Sequence, residues 1–279
     1  MARYKVILAY EGTQFQGYQR QANARTVQGV VETALRGLGW TGRSILAAGR
    51  TDTGVHAAGQ VISFDLDWRH SAEELRSALN ASLPGDVAVQ AIEIAADDFH
   101  PRYDASSRTY QYHIYCQEHR LPLLERHAWR VWPPVELATL QQAAASLVGT
   151  HDFAAFGTPP RLGSHTVRTI HQANWSESEA ELIFEISADA FLYRMVRRLV
   201  SFQVEIGQGR RSLEELKGHL AMPPDVLVQG LAPSHGLVLL KVDYPQEART
   251  LEKRRNQKTR RPGGLDESGE GERGKIILS

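Results

Sequence analysis

Strand-like and helix-like segments alternate along the first hundred residues. Apolar residues recur every three or four positions after Thr26 and again after Ser71, which forms a capping-box pattern with Glu74, and these two stretches predict amphipathic helices. Strand-forming composition predicts strands at residues 4–10, 44–48, 60–64 and 87–94. The order strand–helix–strand–strand–helix–strand is that of a ferredoxin-like unit.

The second half of the chain shows the same order less clearly. Strands are predicted at residues 108–115, 168–175, 181–187 and 236–242. Helices are predicted at residues 135–148, over the apolar positions of residues 192–200, and after the Ser212 cap. We therefore expect an α+β fold of two ferredoxin-like (βαββαβ) domains, residues 1–105 and 106–245, with a mainly antiparallel sheet and a central cleft.

Residues 246–279 have a different composition from the rest of the chain. They are dense in charge, glycine and proline, and they show no hydrophobic period. This composition predicts a charged, disordered tail. A plain solvated extension explains this composition better than a segment that contacts the phosphates of a nucleic acid.

Charge is balanced overall and uneven locally. The 279 residues include 32 basic and 32 acidic ones, so the net charge predicts no nucleic-acid partner. Residues 1–60, however, hold seven Lys/Arg against three Asp/Glu, and residues 61–104 hold three against nine. Such a distribution can produce a positive face that binds phosphates, and it is equally typical of ordinary solvated surfaces.

Cysteine content and hydropathy narrow the class of protein. The single cysteine, Cys116, excludes an intramolecular disulfide and a multi-cysteine metal site. The N-terminal segment lacks the pattern of a secretory signal peptide, and no stretch approaches the roughly 20 apolar residues that span a bilayer. One free thiol suits a reducing compartment, so we expect a cytoplasmic protein.

The densest group of chemically active residues lies in the segment 48–61, Ala-Gly-Arg-Thr-Asp-Thr-Gly-Val-His-Ala-Ala-Gly-Gln-Val. It places Arg50, Asp52 and His56 between two predicted strands, among glycines that permit tight turns. On these residues alone, a structural role is the stronger interpretation of Asp52, because an Asp before Thr-Gly commonly bonds to its own backbone in a turn.

This segment resembles the Gly-Arg-Thr-Asp-x-Gly-Val-His-Ala-x-Gly-Gln-Val signature of the tRNA pseudouridine synthase A (TruA) family. Further matching motifs follow in the family's order at residues 17–20, 80–86, 99–110, 191–197 and 236–239. The resemblance implies a pseudouridine synthase fold and an isomerase that needs neither a cofactor nor a metal. It also implies tRNA as partner, a homodimer, and conversion of uridine to pseudouridine at positions 38 to 40 of the anticodon stem-loop.

The resemblance implies three catalytic roles. Asp52 corresponds to the catalytic aspartate, Arg197 to the arginine that pairs with it, and Tyr110 to the active-site tyrosine. A carboxylate can act as a nucleophile or assist proton removal, and an aromatic ring can stack on an extruded uracil. Without the resemblance, Arg197 would be interpreted as a solvated helix residue and Tyr110 as a core aromatic.

Four further residues are implied to bind or support the substrate. Arg50 corresponds to an arginine that keeps the target nucleotide out of its stack, either by binding phosphate or by filling the vacated space. His56 is expected to steady the loop through a hydrogen bond rather than to transfer a proton. Leu237 and Leu239 are expected to form an apolar wall beside the uracil.

Two other classes of protein share parts of this pattern. An aspartic protease also carries Asp-Thr-Gly, but it needs two aspartates that share a proton, and the chain has no second Asp-Thr/Ser-Gly. A non-catalytic RNA-binding module could have a ferredoxin-like fold, although no Gly-aromatic-x-Phe-Val string of that kind occurs. Replacing Asp52 with Asn separates an enzyme from a binding module.

Overall fold

The computed structural model describes residues 1–159, 163–178, 180–224 and 226–245. Within these residues the strands are β1 (Ala2–Tyr10), β2 (Leu46–Ala47), β3 (His56–Leu66), β4 (Val87–Ile94), β5 (Ser107–Tyr115), β6 (Trp129–Arg130), β7 (Gly149–Asp152), β8 (Val167–Ser178), β9 (Glu181–Ala188) and β10 (Leu237–Asp243). The helices are α1 (Val27–Gly37), α2 (Ala72–Ser82), α3 (Leu137–Ala145), α4 (Met195–Gly207) and α5 (Leu213–Ala221), with a 3₁₀ turn at Ser234–Gly236. The predicted α+β class is confirmed.

All ten strands belong to one sheet. Its main path is β4-β1-β3-β10-β5-β9-β8-β7, with β2 also paired to β3 and β6 to β5. Pairing is antiparallel except between β3 and β10 and between β5 and β6, which confirms the predicted mainly antiparallel sheet. The halves have the same strand order: β4-β1-β3-β2 in the first corresponds to β10-β5-β9-β8 in the second.

The halves meet where β10 pairs with β3. The pairing is short and parallel, with Val238 opposite His56 and Leu239 opposite Ala57. Gly59 lies beside this junction, and a Cβ at that position would come within 2.4 Å of the Leu240 carbonyl oxygen. The missing side chain therefore allows the two backbones to approach, and residues 1–244 form one compact unit.

Local sequence signals set the ends of the helices. The Thr26 side chain accepts a hydrogen bond from the Gly29 amide at the start of α1, and Ser71 with Glu74 forms the predicted capping box of α2. A second capping box, Ser212 with Glu215, begins α5. These caps satisfy amide groups that have no partner inside the helix.

Two of the boundaries that differ from the prediction affect the position of the site. Helix α4 begins at Met195 rather than near residue 192, because Arg194 has φ +62°, a left-handed conformation that cannot continue a right-handed helix. Strand β3 begins at His56, four residues earlier than expected, so the loop that carries Asp52 is shorter and His56 belongs to a strand.

The interior contains two hydrophobic clusters. One packs α1 and α2 against the first-half strands, and the other packs α3, α4 and α5 against the second-half strands. Tyr110 on β5 contacts both clusters. No helix among the described residues is long and apolar enough to cross a membrane. The predicted tail, residues 246–279, lies outside the described residues.

Candidate active site

Asp52 lies in the loop between β2 and β3. The loop is fixed by backbone bonds from the Tyr18 amide to the Thr51 carbonyl (3.0 Å) and from the Val55 amide to the Asp52 carbonyl (3.2 Å). The Thr51 hydroxyl lies 2.8 Å from the buried Tyr10 hydroxyl. Gly54 has φ +77°, which a residue with a side chain adopts only at a cost, so the tight turn after Asp52 depends on glycine.

The Asp52 carboxylate pairs with an arginine from the other half of the chain. Nη1 of Arg197, in the first turn of α4, lies 3.3 Å from Oδ2 of Asp52, although 145 residues separate the two in sequence. Nε of Arg197 donates to the Ala232 carbonyl (2.7 Å), which fixes the guanidinium. In the described part of the chain the other carboxylate oxygen, Oδ1, makes no hydrogen bond, so it is available to a ligand.

A cavity of about 750 Å³ contains this ion pair. Five of the predicted site residues line it: Arg50, Asp52, Tyr110, Arg197 and Leu237. The Asp52 side chain is 23% exposed and that of Arg197 is 12% exposed, so both reach the cavity from partly buried positions. The structure thus brings together residues from β5, α4, β10 and the β2–β3 loop.

The cavity is strongly cationic. Six arginines line it, namely Arg20, Arg50, Arg102, Arg108, Arg194 and Arg197, and Asp52 is the one carboxylate among its described lining residues. A concave surface with such an excess of positive charge attracts polyanions. The chain therefore has a basic cavity although its net charge is zero.

Tyr110 presents an aromatic ring to the cavity. The ring packs edge-on against Phe191, with ring centres 5.1 Å apart and an interplanar angle of 88°. Burial raises the pKa of the Tyr110 phenol well above its usual value, and the nearby Tyr10 and Asp52 add to the effect, so the hydroxyl stays neutral. A neutral phenol can donate a hydrogen bond, and its ring can stack on a planar ligand.

His56 does not line this cavity. Its Nδ1 accepts a hydrogen bond from the Gly12 amide (2.9 Å), and its Nε2 lies 3.0 Å from the His235 carbonyl. An acceptor at Nδ1 and a donor at Nε2 define one neutral tautomer, which leaves neither nitrogen free to transfer a proton. Burial lowers the pKa of His56 below its usual value. The side chain therefore links the two halves of the chain.

Leu239 does not line the cavity either, contrary to the expected apolar wall. It lies beside Ala57 where β10 pairs with β3, and it is buried among the core residues of the first half. Leu237, two residues earlier, remains at the cavity surface. The strand pairing therefore covers one of the two leucines and leaves the other accessible.

Arg108 and Tyr18 stand out among the cavity residues that were not assigned a role from the sequence. Arg108 donates to the carbonyls of Arg102 (2.6 Å), Asp189 (2.8 Å) and Ala48 (3.4 Å), so it joins three segments around the cavity. Burial lowers the pKa of its guanidinium. The buried Tyr18 hydroxyl has no hydrogen-bond partner among the described residues. Both residues lie in motifs that carry the family resemblance, which is the one signal that could have identified them.

One group of described residues has the donor types of a metal site. Potential ligand atoms of Glu11, His56 and His127 all lie within 4.8 Å of one another, beside a separate cavity. The Nδ1 lone pair of His56 already accepts the Gly12 amide, so a metal would have to displace that bond. The group therefore fits a hydrogen-bonded link between segments better than a prepared metal site.

Comparison with known proteins gives a consistent result. A family model described as tRNA pseudouridine synthase matches residues 6–104 and 143–245. A tRNA pseudouridine synthase A from Streptococcus equi subsp. equi (strain 4047) is 40% identical over 249 residues, covering 88% of this chain and 100% of the relative. One from Shouchella clausii (strain KSM-K16) is 40% identical over 247 residues, covering 88% of this chain and 95% of the relative.

One solved structure shows only a distant similarity. A Cbf5–Nop10–Gar1 complex matches with a TM-score of 0.32 and 10% identity, over 72% of this chain and 45% of the matched chain. That similarity is too low to support a conclusion about fold or activity.

Proposed function

The chain belongs to the tRNA pseudouridine synthase A family, and on that basis we propose that Asp52 is the catalytic carboxylate of a tRNA uridine isomerase acting at positions 38 to 40 of the anticodon stem-loop. The observation that carries the proposal is the single carboxylate, paired with Arg197, in a cavity that six arginines also line. The family resemblance supports the choice of the anticodon stem-loop.

The chemistry suits one carboxylate without a second reactant. The reaction breaks the C1′–N1 bond, turns the uracil and forms a C1′–C5 bond, while C5 loses a proton and N1 gains one, so the atoms balance within one nucleotide. A carboxylate can add to the sugar or base and can assist proton removal. Oδ2 of Asp52 pairs with Arg197, and Oδ1 is the oxygen available to the substrate.

Arg197 and Tyr110 are proposed to complete the catalytic group. Arg197 orients Asp52, because its own guanidinium is held by the Ala232 carbonyl. Tyr110 offers a neutral phenol and an aromatic face to the uracil, and Leu237 supplies an apolar surface beside it. An arginine rather than a second carboxylate beside Asp52 argues against the aspartic protease alternative, which needs a carboxyl pair.

Arg50 and the other cavity arginines are proposed to bind the RNA backbone. Reaching C1′ and C5 of a uridine requires the base to leave its stack, at a cost of a few kcal/mol. Bidentate contacts from guanidinium groups to phosphates offset that cost. Arg50 is exposed and lies two residues from Asp52, so it can contact the target nucleotide itself.

Asp52→Asn tests the proposal directly. The variant keeps the size of the side chain and removes its charge, so we expect pseudouridine formation to fall by at least about 10³-fold, while the Kd for tRNA stays within about threefold of wild type. Pseudouridine at positions 38, 39 and 40 of a tRNA transcript is measured by mass spectrometry. Asp67→Asn is the matched control, because Asp67 is 75% exposed and lies outside the cavity.

Three outcomes distinguish the parts of the proposal. Wild-type turnover in Asp52→Asn would reject Asp52 as the catalytic group. Modification of a uridine elsewhere in tRNA would reject the anticodon stem-loop and leave the enzyme class intact. Binding of tRNA by the wild type without any isomerisation would favour the non-catalytic alternative.

Quaternary structure and architecture complete the proposal. The resemblance supports a homodimer, which sedimentation equilibrium of the full chain checks. The shared strand order supports a pseudouridine synthase fold of two ferredoxin-like halves with the cavity as its central cleft. Location in the cytoplasm remains a prediction.

A further inference from the structure

Strongly exposed aromatic rings are rare among the described residues, and most of them lie at the cavity that contains Asp52. Three aromatic side chains are strongly exposed in the described residues: Tyr103 (74%), Tyr193 (51%) and Trp132 (50%). Tyr103 and Tyr193 line the cavity that contains Asp52, whereas Trp132 does not. Large rings left in water at the opening of a cationic cavity are unexplained by packing.

Tyr103 is held in place by its own loop. The His100 ring packs on it, with centres 4.3 Å apart and planes 36° from parallel. Nδ1 of His100 accepts from the amides of Arg102 (3.1 Å) and Tyr103 (3.3 Å), and the His100 amide donates to Asp104 (2.9 Å). The ring is therefore supported on one side by an oriented imidazole while most of its surface faces solvent.

Tyr193 is held by a different segment. Its amide and carbonyl both pair with Thr158, at 2.9 and 3.3 Å, and the left-handed residue Arg194 follows it. The Arg194 guanidinium carbon lies 4.8 Å from the centre of the Tyr193 ring. A non-glycine residue at φ +62° is strained, and its position beside the cavity fits a constraint imposed by function.

We propose that Tyr103 and Tyr193 are stacking platforms for the nucleobases that flank the target uridine in the tRNA. This inference rests on the proposed function, because it assigns the flanking nucleotides of the same substrate. Both rings are positioning residues, since they contact neighbouring nucleotides and not the reacting atoms.

The physical reason is the loss of stacking around an extruded base. When the uridine leaves the stack, the bases on each side lose a neighbour, and an aromatic side chain can replace it. The cavity arginines, including Arg102 and Arg194 next to the two tyrosines, can hold the adjacent phosphates. Aromatic rings interleaved with cationic groups are the arrangement that binds single-stranded nucleic acid.

The test compares an aliphatic and an aromatic replacement at each position. Tyr103→Leu and Tyr193→Leu are each expected to raise the Kd and the KM for tRNA roughly 5- to 150-fold, the range measured for removing one base-stacking ring, with a smaller change in kcat. Tyr103→Phe and Tyr193→Phe keep the ring and are expected to retain most of the affinity. Trp132→Leu is the matched control, with an exposed ring removed outside the cavity, and is expected to match wild type.

A double-mutant cycle identifies the nucleobase. Each variant is tested against tRNA with an abasic site at the nucleotide immediately 5′ or 3′ of the target, and the penalty of the Leu variant is expected to disappear when its own base is absent. An undiminished penalty on both abasic substrates, or Leu variants within twofold of the wild-type Kd, would overturn the stacking assignment. Because Kd is measured without turnover, failure of this inference is distinguishable from failure of Asp52 as catalyst.

Discussion

Protonation of His56 should weaken the junction between the two halves of the protein. The neutral ring accepts a hydrogen bond from the Gly12 amide and donates one to the His235 carbonyl. A proton on Nδ1 would therefore face the Gly12 N–H, and the two donors would repel each other. Burial lowers the pKa of His56, and His127 acts in the same direction, whereas Glu11 and the backbone carbonyls of His235 and Arg126 oppose the shift. The net direction is downward.

The sign and size of the effect follow from linkage. The unfolded chain binds a proton near the usual pKa of 6.5, and the folded chain binds it only at lower pH. The stabilising contribution is therefore complete above about pH 6.5 and decreases as the pH falls from there toward the folded pKa. One group of this kind can change the free energy of unfolding by at most about 1.4 kcal/mol per pH unit.

Urea unfolding at pH 8.0, 6.5 and 5.5 measures this contribution. His56→Gln keeps a donor for the His235 carbonyl and cannot titrate, so we expect a smaller loss of stability between pH 6.5 and 5.5 than in wild type. The difference should not exceed about 1 kcal/mol, because the unfolded imidazole is only half protonated at pH 6.5. Some pH dependence should remain, because burial also lowers the pKa of His235.

His70→Gln is the control, since the His70 side chain is 62% exposed. That variant should show the wild-type pH dependence. Equal pH dependence in His56→Gln and wild type would refute the neutral-tautomer argument, as would a wild-type protein that gains stability on acidification. An NMR titration of the His56 ring that gave a pKa above 6.5 would also refute it.

Two further substitutions test the loop and the first-half core. Glu32→Ala should lower the free energy of unfolding, measured by urea titration, by about 3 kcal/mol. The reason is that the fully buried carboxylate accepts hydrogen bonds from the Gln28 side chain (2.8 Å) and the Ile45 amide (3.2 Å). A loss below about 1 kcal/mol would contradict this. Gly54→Ala should cost about 1–3 kcal/mol, because an L-residue is strained at φ +77° and the new Cβ would lie 2.7 Å from the Ser234 hydroxyl. In the double variant with Ser234→Gly, a thermal melt should recover only the part of the lost stability that comes from the contact with Ser234. Full recovery would show that the backbone at residue 54 is unstrained.

Much of the fold could be predicted from the sequence, because local capping and hydrophobic patterns define the helices and the longer strands. The Ser71/Glu74 and Ser212/Glu215 boxes begin helices where predicted. Strands β6 and β7, of two and four residues, were missed because they are too short to show a period and form only beside β5 and β8. The left-handed conformation of Arg194 could not be predicted either, since no propensity rule favours arginine at positive φ.

The site could be predicted from the sequence only in part. No sequence pattern places Asp52 beside Arg197, because their pairing depends on how the two halves meet, and only family resemblance indicated it. Leu237 and Leu239 were both expected beside the uracil by family resemblance alone, and of the two only Leu237 lines the cavity. The β3–β10 pairing gives Leu239 a core environment and leaves Leu237 at the cavity.

The origin of the site from both halves has a consequence for biosynthesis. A ribosome makes Asp52 well before Arg197, and the carbonyl that fixes Arg197 belongs to Ala232, shortly before the last strand, β10. A nascent chain that has folded only its first half therefore carries the carboxylate without its guanidinium partner. A translation product that ends before α4 therefore lacks the ion pair between Asp52 and Arg197.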